Sequence, residues 1–298
     1  MNVGVYVDSS NITMNGGFRM LYDQLRHWAC RDGGKAMRLN IYLALDLERC
    51  DSDRAYDERM RGYMSAARQF GYKIVVKPVK RYRGDDGVEV VKSNADLDMA
   101  VDVLTQSGNL DYVLLATGDG DFVRLVGALQ DRGSRVEVLA FQNYSRDLVE
   151  AADVFTNGFL VPHLIPYPRG VQPWGNVGSR VCGRFISWNS EKKYGFLQYM
   201  PSIQSGTWER SRSGGTAWES VFCHQSELGF RSDCLPNRDL IVEFELSPAQ
   251  SPDQAMSAKS VTVKYAPAGL AIQNIVSPNV VSPSADPSPA DSSFTPSS

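Results

Sequence analysis

Through residues 1–165 the chain alternates apolar runs of strand length with amphipathic runs of helical period, an order that points to a parallel sheet covered by helices on both faces. MNVGVYVD, MRLNIYLALD, YKIVVKPV, DYVLLA and RVEVLAF read as strands bounded by polar or turn residues. Between them, FRMLYDQLRHWACRD carries Phe18, Leu21, Tyr22, Leu25 and Trp28 at helical spacing, and DRAYDERMRGYMSAARQFG and FVRLVGALQDRG are further helices. NADLDMAVDVLTQSG is expected to be a helix with Leu97, Ala100, Val101 and Leu104 facing inward. The polar stretch around RYRGDDGVEV reads as a hairpin-like excursion.

Right-handed crossovers place the first and fourth strands side by side if the strand order reverses between them. Asp8 closes VGVYVD, and Asp119 and Asp121 sit in TGDGDF just beyond DYVLLA. The carboxyl ends of strands in an open sheet line the ligand crevice, so these acids converge although they are far apart in the chain. Converging carboxylates repel unless a cation sits among them, and magnesium held by oxygen ligands is a common apparatus for attacking phosphates.

Composition divides the chain. Residues 166–179, PYPRGVQPWGNVGS, are rich in proline and glycine and read as a linker. Residues 180–265 change to short strands and turns, and 266–298 become a Pro/Ser-rich tail expected to be disordered. Five cysteines (Cys30, Cys50, Cys182, Cys223, Cys234) form no CxxC pair and read as free thiols. No apolar run is long enough to span a bilayer and the start lacks the features of a signal peptide, so the expectation is a cytoplasmic protein without a membrane partner. A formal net charge of −3 means that affinity for nucleic acid must come from local patches.

The D-x-x-N of Asp8 to Asn11, the KSNADLDMAVD run from Lys92 through Asp96 to Asp102, the TGDGDF loop and the late SRDLVEAADVF together resemble the NYN domain, a branch of the PIN-like nucleases, over nearly all of residues 1–165. The resemblance implies a Rossmann-like sheet carrying an acidic Mg2+ or Mn2+ site that hydrolyses RNA phosphodiester bonds, with an endonucleolytic cut as the expectation. It assigns the catalytic and metal-holding roles to Asp8, Asp96, Asp119 and Asp121, with Asn11 orienting the first acid. Thr117 is placed to bond an acid or a metal-bound water, and Ser9 and Ser10 to meet a substrate phosphate. Bland roles compete: Asp121 is a natural cap for the helix that follows, Asp96 suits any helical first turn, and Asp98, Asp102 and Asp153 read as structural. His27 and His163 stand alone and are not ligand candidates. For the RNA backbone the candidates are Lys77, Lys80, Arg81, Arg83, Lys92 and Arg124, with Tyr82 able to stack.

The second unit points to nucleic acid independently. Period two puts Tyr194 and Phe196 on one face of a strand, and Phe222 and His224 on one face of another, a platform for stacking bases at ~1–3 kcal/mol each. KKYGFL and VFCH resemble the cold-shock domain, a five-stranded barrel of the OB type, which implies RNA contacts from Trp188, Lys192, Tyr194, Phe196, Phe222 and His224. Three departures stand out: Ser187 where that family has tryptophan, Lys193 in place of its first glycine, and a long connection from Leu197 to Val221 carrying Trp208, Arg210 and Arg212. The expected architecture is thus α/β, a PIN/NYN parallel sheet plus a small all-β barrel.

A metal-dependent ribonuclease fed single-stranded RNA by its barrel is the leading reading, and a homodimer is compatible with it. A non-catalytic RNA-binding regulatory protein is the alternative. A different magnesium-dependent phosphotransfer enzyme is disfavoured, because SSN follows Asp8 and no G-x-x-x-x-G-K-[ST] loop is present.

Overall fold

The computed structural model describes residues 1–83, 89–167, 172–206, 217–249 and 255–273, with 80–83 and 89–92 described by their backbone alone. Six strands form the first sheet: β1 (Asn2–Asp8), β2 (Lys35–Leu45), β3 (Lys73–Pro78), β6 (Tyr112–Ala116), β7 (Arg135–Ala140) and β8 (Val154–Asn157). All pair in parallel, in the order β3-β2-β1-β6-β7-β8. β1 and β6 are buried along nearly their whole length, as a strand covered on both faces must be. The order reverses between them, so the switch point falls where the sequence places it. The polar excursion is the antiparallel hairpin of β4 (Lys80–Arg83) and β5 (Glu89–Lys92).

The helices are α1 (Ser9–Met14), α2 (Tyr22–Ala29), α3 (Leu47–Ser52), α4 (Arg54–Gln69), α5 (Ala95–Gln106), α6 (Val123–Asp131) and α7 (Arg146–Ala151). Side-chain caps set several starts: Asp8 accepts from Asn11 N, Asp46 from Arg49 N, Asp53 from Tyr56 N and Ser145 from Leu148 N. Two expectations are corrected. Phe18 lies outside α2 and is 66% exposed, because the chain between α1 and α2 turns through Gly16 and Gly17. On α5 the inward stripe is Ala95, Met99 and Val103, flanked by Ala100 and Leu104, while Leu97 and Val101 are 62% and 51% exposed. The helix is apolar on more than one side, and its rotation is set by polar anchors: Asp98 pairs with Lys77 Nζ at 2.7 Å and Asp102 accepts from Tyr42 Oη at 2.9 Å.

β9 (Arg180–Asn189), β10 (Tyr194–Tyr199), β11 (Glu219–His224), β12 (Ile241–Ser247) and β13 (Ser257–Tyr265) close a five-stranded barrel in the order β10-β11-β13-β12-β9. Its interior takes Val181, Phe185, Leu197, Tyr199, Val221, Phe244 and Val261. Within the described part of the linker, Trp174 is buried, donates to Met200 O at 2.7 Å and packs against Tyr167. An apolar cluster therefore runs from one face of the sheet, through Phe159–Leu164 and Trp174, into the barrel. The expected disorder is corrected for residues 266–273, where Leu270 and Ile272 pack on the barrel and Arg231 N donates to Gln273 O. The rest of the tail and Trp208, Arg210 and Arg212 lie outside the described residues. All five cysteines are free thiols. Among the described residues no helix is long and apolar enough to cross a membrane.

Candidate active site

Asp8 ends the central strand β1 and is 4% exposed. Its Oδ1 accepts from Asn11 N at 3.0 Å, and Thr117 Oγ1 donates to Oδ2 at 3.4 Å. Asn11 ties the first strand to the acid loop, since its Oδ1 accepts from Gly118 N at 2.8 Å. Thr117 Oγ1 in turn accepts from Asp119 N at 3.2 Å, and Asp119 Oδ1 from Asp121 N at 3.0 Å. The expected cap is therefore displaced by two residues: Asp119, not Asp121, closes the turn that leads into α6.

Desolvation by burial pushes the Asp8 carboxyl up to about 6, opposed by the Asn11 hydrogen bond and reinforced by the charges of Asp96 and Asp119. Asp96, in the first turn of α5, is also raised, by desolvation and then by Asp119 and Asp121. The acids at the ends of β1, β6 and the start of α5 thus share one field. Among the described residues, however, no three Asp, Glu, His or Cys side chains form a group that could hold a metal ion. The acids are gathered at the crevice but not drawn into a ready-made cage. Such a set of hard oxygens suits magnesium or manganese better than a softer metal, because Mg2+ keeps several waters and takes one or two carboxylates together with substrate phosphates.

Other sequence candidates sort by geometry. Ser9 is buried and its hydroxyl faces Tyr63 Oη at 3.0 Å, so it braces α1 against α4. Lys77 is paired with Asp98, and Asp153 Oδ2 accepts from Val136 N at 2.7 Å, a structural role. Arg124 is exposed on α6. The side chains of Lys80, Arg81, Arg83 and Lys92 lie outside the described residues, on the β4–β5 hairpin. Sequence reasoning missed Tyr144 and Ser145, which wall the acid loop. A Cβ at Gly118 would stand 3.0 Å from Tyr144 Cβ, and one at Gly120 2.9 Å from Ser145 Oγ. Ser145 N donates to Gly118 O at 2.9 Å. The two glycines of TGDGDF were the available signal for such a close approach.

On the barrel, Tyr194 stands opposite His224 and Phe196 opposite Phe222. The rings form one cluster, with centroids 5.6 Å apart for Tyr194–Phe222, 6.0 Å for Phe196–Phe222 and 6.3 Å for Tyr194–Phe196. Lys192 is exposed in the turn before them, and Lys193 holds φ +57, the left-handed conformation for which glycine is the usual residue. Trp188 is a correction. A bulge at Ile186 of β9, across from Phe196 and Leu197, sets Ser187 opposite Phe196, while Trp188 pairs with Gly195, whose Cβ would meet its ring at 2.7 Å, and packs edge-on to Phe185 of the core. It faces away from the platform.

An open parallel sheet with carboxylates gathered at its switch point, joined to a five-stranded barrel, defines an α/β domain built for a ligand at the strand ends. The chain belongs to the NYN domain family, a branch of the PIN-like ribonucleases, which matches residues 2–161. It is similar to the low amplitude and bright protein LabA of Synechococcus elongatus, 25% identical over 96 residues, covering 31% of this chain and 52% of that protein. The chain thus spans about half the length of the curated relative it matches. It also resembles the crystal structure of a protein of unknown function from Vibrio parahaemolyticus, 23% identical with a TM-score of 0.42, covering 52% of this chain and 91% of the other.

Proposed function

We propose that the protein is a divalent-metal-dependent ribonuclease that hydrolyses single-stranded RNA in the crevice between β1 and β6, with the barrel, of cold-shock type, binding the RNA. The observation that carries this reading is the convergence of carboxylates at the switch point: a buried Asp8 whose carboxyl is pushed up to about 6, with Asp96 and Asp119 adding to the rise. Asp8, Asp96, Asp119 and Asp121 would hold Mg2+ or Mn2+. When bound, such an ion supplies a water deprotonated near neutral pH and charge for the leaving oxygen. Asn11 holds Asp8 and the Gly118 backbone in one frame, so that first strand and acid loop present their oxygens together. Thr117 donates to Asp8 and receives Asp119 N, which fixes the spacing of those two acids.

The test is incubation of labelled single-stranded RNA with Mn2+ or Mg2+, a chelator control and Asp119→Asn, which keeps an acceptor for Asp121 N but loses the charge. Cleavage that needs the metal and is lost in the variant supports the reading. Cleavage indifferent to both refutes it. The looseness of the acid group favours one second reading, a non-catalytic RNA-binding protein; RNA binding without cleavage under every metal condition would select it.

A further inference from the structure

We propose that the cleft between the sheet and the barrel is a second binding site for single-stranded RNA, carrying the strand from the aromatic platform toward the acid loop. This rests on the ribonuclease reading for its destination, not for its chemistry. The cleft is a cavity of about 220 Å³, walled by Tyr144, Phe155 and Asn157 on one side and by Arg184, Trp218 and Arg238 on the other.

Strand register makes this cleft continuous with the platform. Residues two apart on a strand share a face, so Tyr194, Phe196 and Gln198 of β10 point the same way. Gln198 lies opposite Ser220 on β11 and opposite Arg184 on β9. Trp218 directly precedes β11, and the Arg184 guanidinium sits 4.9 Å from the centre of its ring. One barrel face therefore begins with stacking rings and ends with a guanidinium on an indole, inside the cleft. Flat rings beside arginine suit bases and phosphates together.

The far wall leads to the acids. Tyr144 packs with tilted rings against Phe155 at 4.6 Å and Tyr265 of the barrel at 5.4 Å, and its backbone lies close against Gly118 of the acid loop. Charge fits the same occupant. The lining holds Arg31, Arg184 and Arg238 and a single carboxylate, Asp239, with Arg31 paired to the buried Glu137. A polyanionic strand is favoured there over an acidic peptide, which lacks stacking faces.

The experiment uses the full chain in chelator, so that binding is read without hydrolysis, with fluorescent single-stranded RNA of about 12 and about 4 nucleotides. Arg238 is exposed, so Arg238→Glu preserves packing, and Trp218→Ala is the second variant, both checked for folding by circular dichroism. Each should weaken the longer RNA roughly tenfold, the loss of one stacked or phosphate contact, and the shorter RNA much less. In the wild type, 4-thiouridine in the longer RNA should crosslink to peptides containing Trp218 or Arg238. Unchanged affinity in Arg238→Glu, or displacement of the longer RNA by a mononucleotide at equal concentration, overturns the proposal. Hydrolysis by the wild type with Mn2+ is scored separately. Cutting with unchanged Arg238→Glu binding removes this path and keeps the nuclease; weakened binding without any cutting does the reverse.

Discussion

Asp8→Asn should make the metal-free protein more stable at neutral pH, although it changes a residue of the candidate site. The Asp8 carboxyl goes from 3.8 to about 6 on folding, because burial and the charges of Asp96 and Asp119 disfavour its ionised form. A shift of about two units corresponds to about 3 kcal/mol. The folded state holds this proton more tightly than the unfolded state, so the group's stabilising share is complete below pH 4 and is lost as pH rises from about 4 to about 6. Above that, wild type bears the full cost of a buried charge and the asparagine variant does not. Asn can still accept from Asn11 N, so the expected gain at pH 7.5 in chelator is about 1–3 kcal/mol. Denaturant unfolding of both proteins across pH 4–8 isolates the effect, since every other titrating group is common to both. The difference should be small at pH 4, grow through pH 6 and then level off. Added Mg2+ should shrink it, because an ion bound only to the folded state stabilises wild type by RT ln(1 + [L]/Kd), about 1.4 kcal/mol at tenfold excess over Kd. A difference flat in pH, or wild type more stable at pH 7.5 without metal, would refute the argument.

Phe196→Ala should lower affinity for single-stranded RNA by ~1–3 kcal/mol in a fluorescence titration while cleavage of very short oligomers persists, because its ring belongs to the platform and not to the core. Glu137→Gln should cost about 3–5 kcal/mol in denaturant melts: Glu137 is fully buried, pairs with Arg31 at 3.1 Å, accepts from Trp28 Nε1 at 3.0 Å and also from Tyr112 and Thr156. Lys193→Gly should be neutral or stabilising by up to ~1 kcal/mol, since glycine adopts positive φ without the Cβ clash; a loss beyond that range would mean the lysine side chain holds the turn.

The sheet was readable because its central strands β1, β6 and β7 are apolar runs buried along nearly their whole length, and such runs admit few alternatives. Asp8 and Asp119 were readable as neighbours on one condition: right-handed crossovers set their strands side by side if the order reverses between them, as β1 and β6 do, and both acids lie at strand ends. What stayed hidden was set by tertiary contacts. α1 and α3 are too short to show a period, and each begins where an aspartate caps the chain just after a strand. The rotation of α5 could not be read from apolar residues on two sides; Lys77 and Tyr42, distant in sequence, decide it. The Pro/Gly composition of residues 166–179 reads as a linker and gives no sign that Trp174 within it is buried and donates to Met200 O. Trp188 was misplaced because a single-residue bulge reverses which side of a strand faces out.

The position of the barrel follows from the sheet's own liability. β8 is the outermost strand on its side, and an open edge offers unpaired backbone groups to any other chain. Val154 to Asn157 of that edge face barrel residues Arg184, Trp218 and Ile241 across the cleft. A cover whose only purpose was to protect an edge would pack at interior density, without a gap lined by arginine. Phe159, Leu164 and Trp174 join the two cores, while Arg184 and Arg238 stand at the cleft beside β8. If the barrel binds RNA as proposed, this anchoring would keep the strand at high effective concentration beside the acid loop, and a crevice with weak intrinsic affinity for RNA would still be supplied.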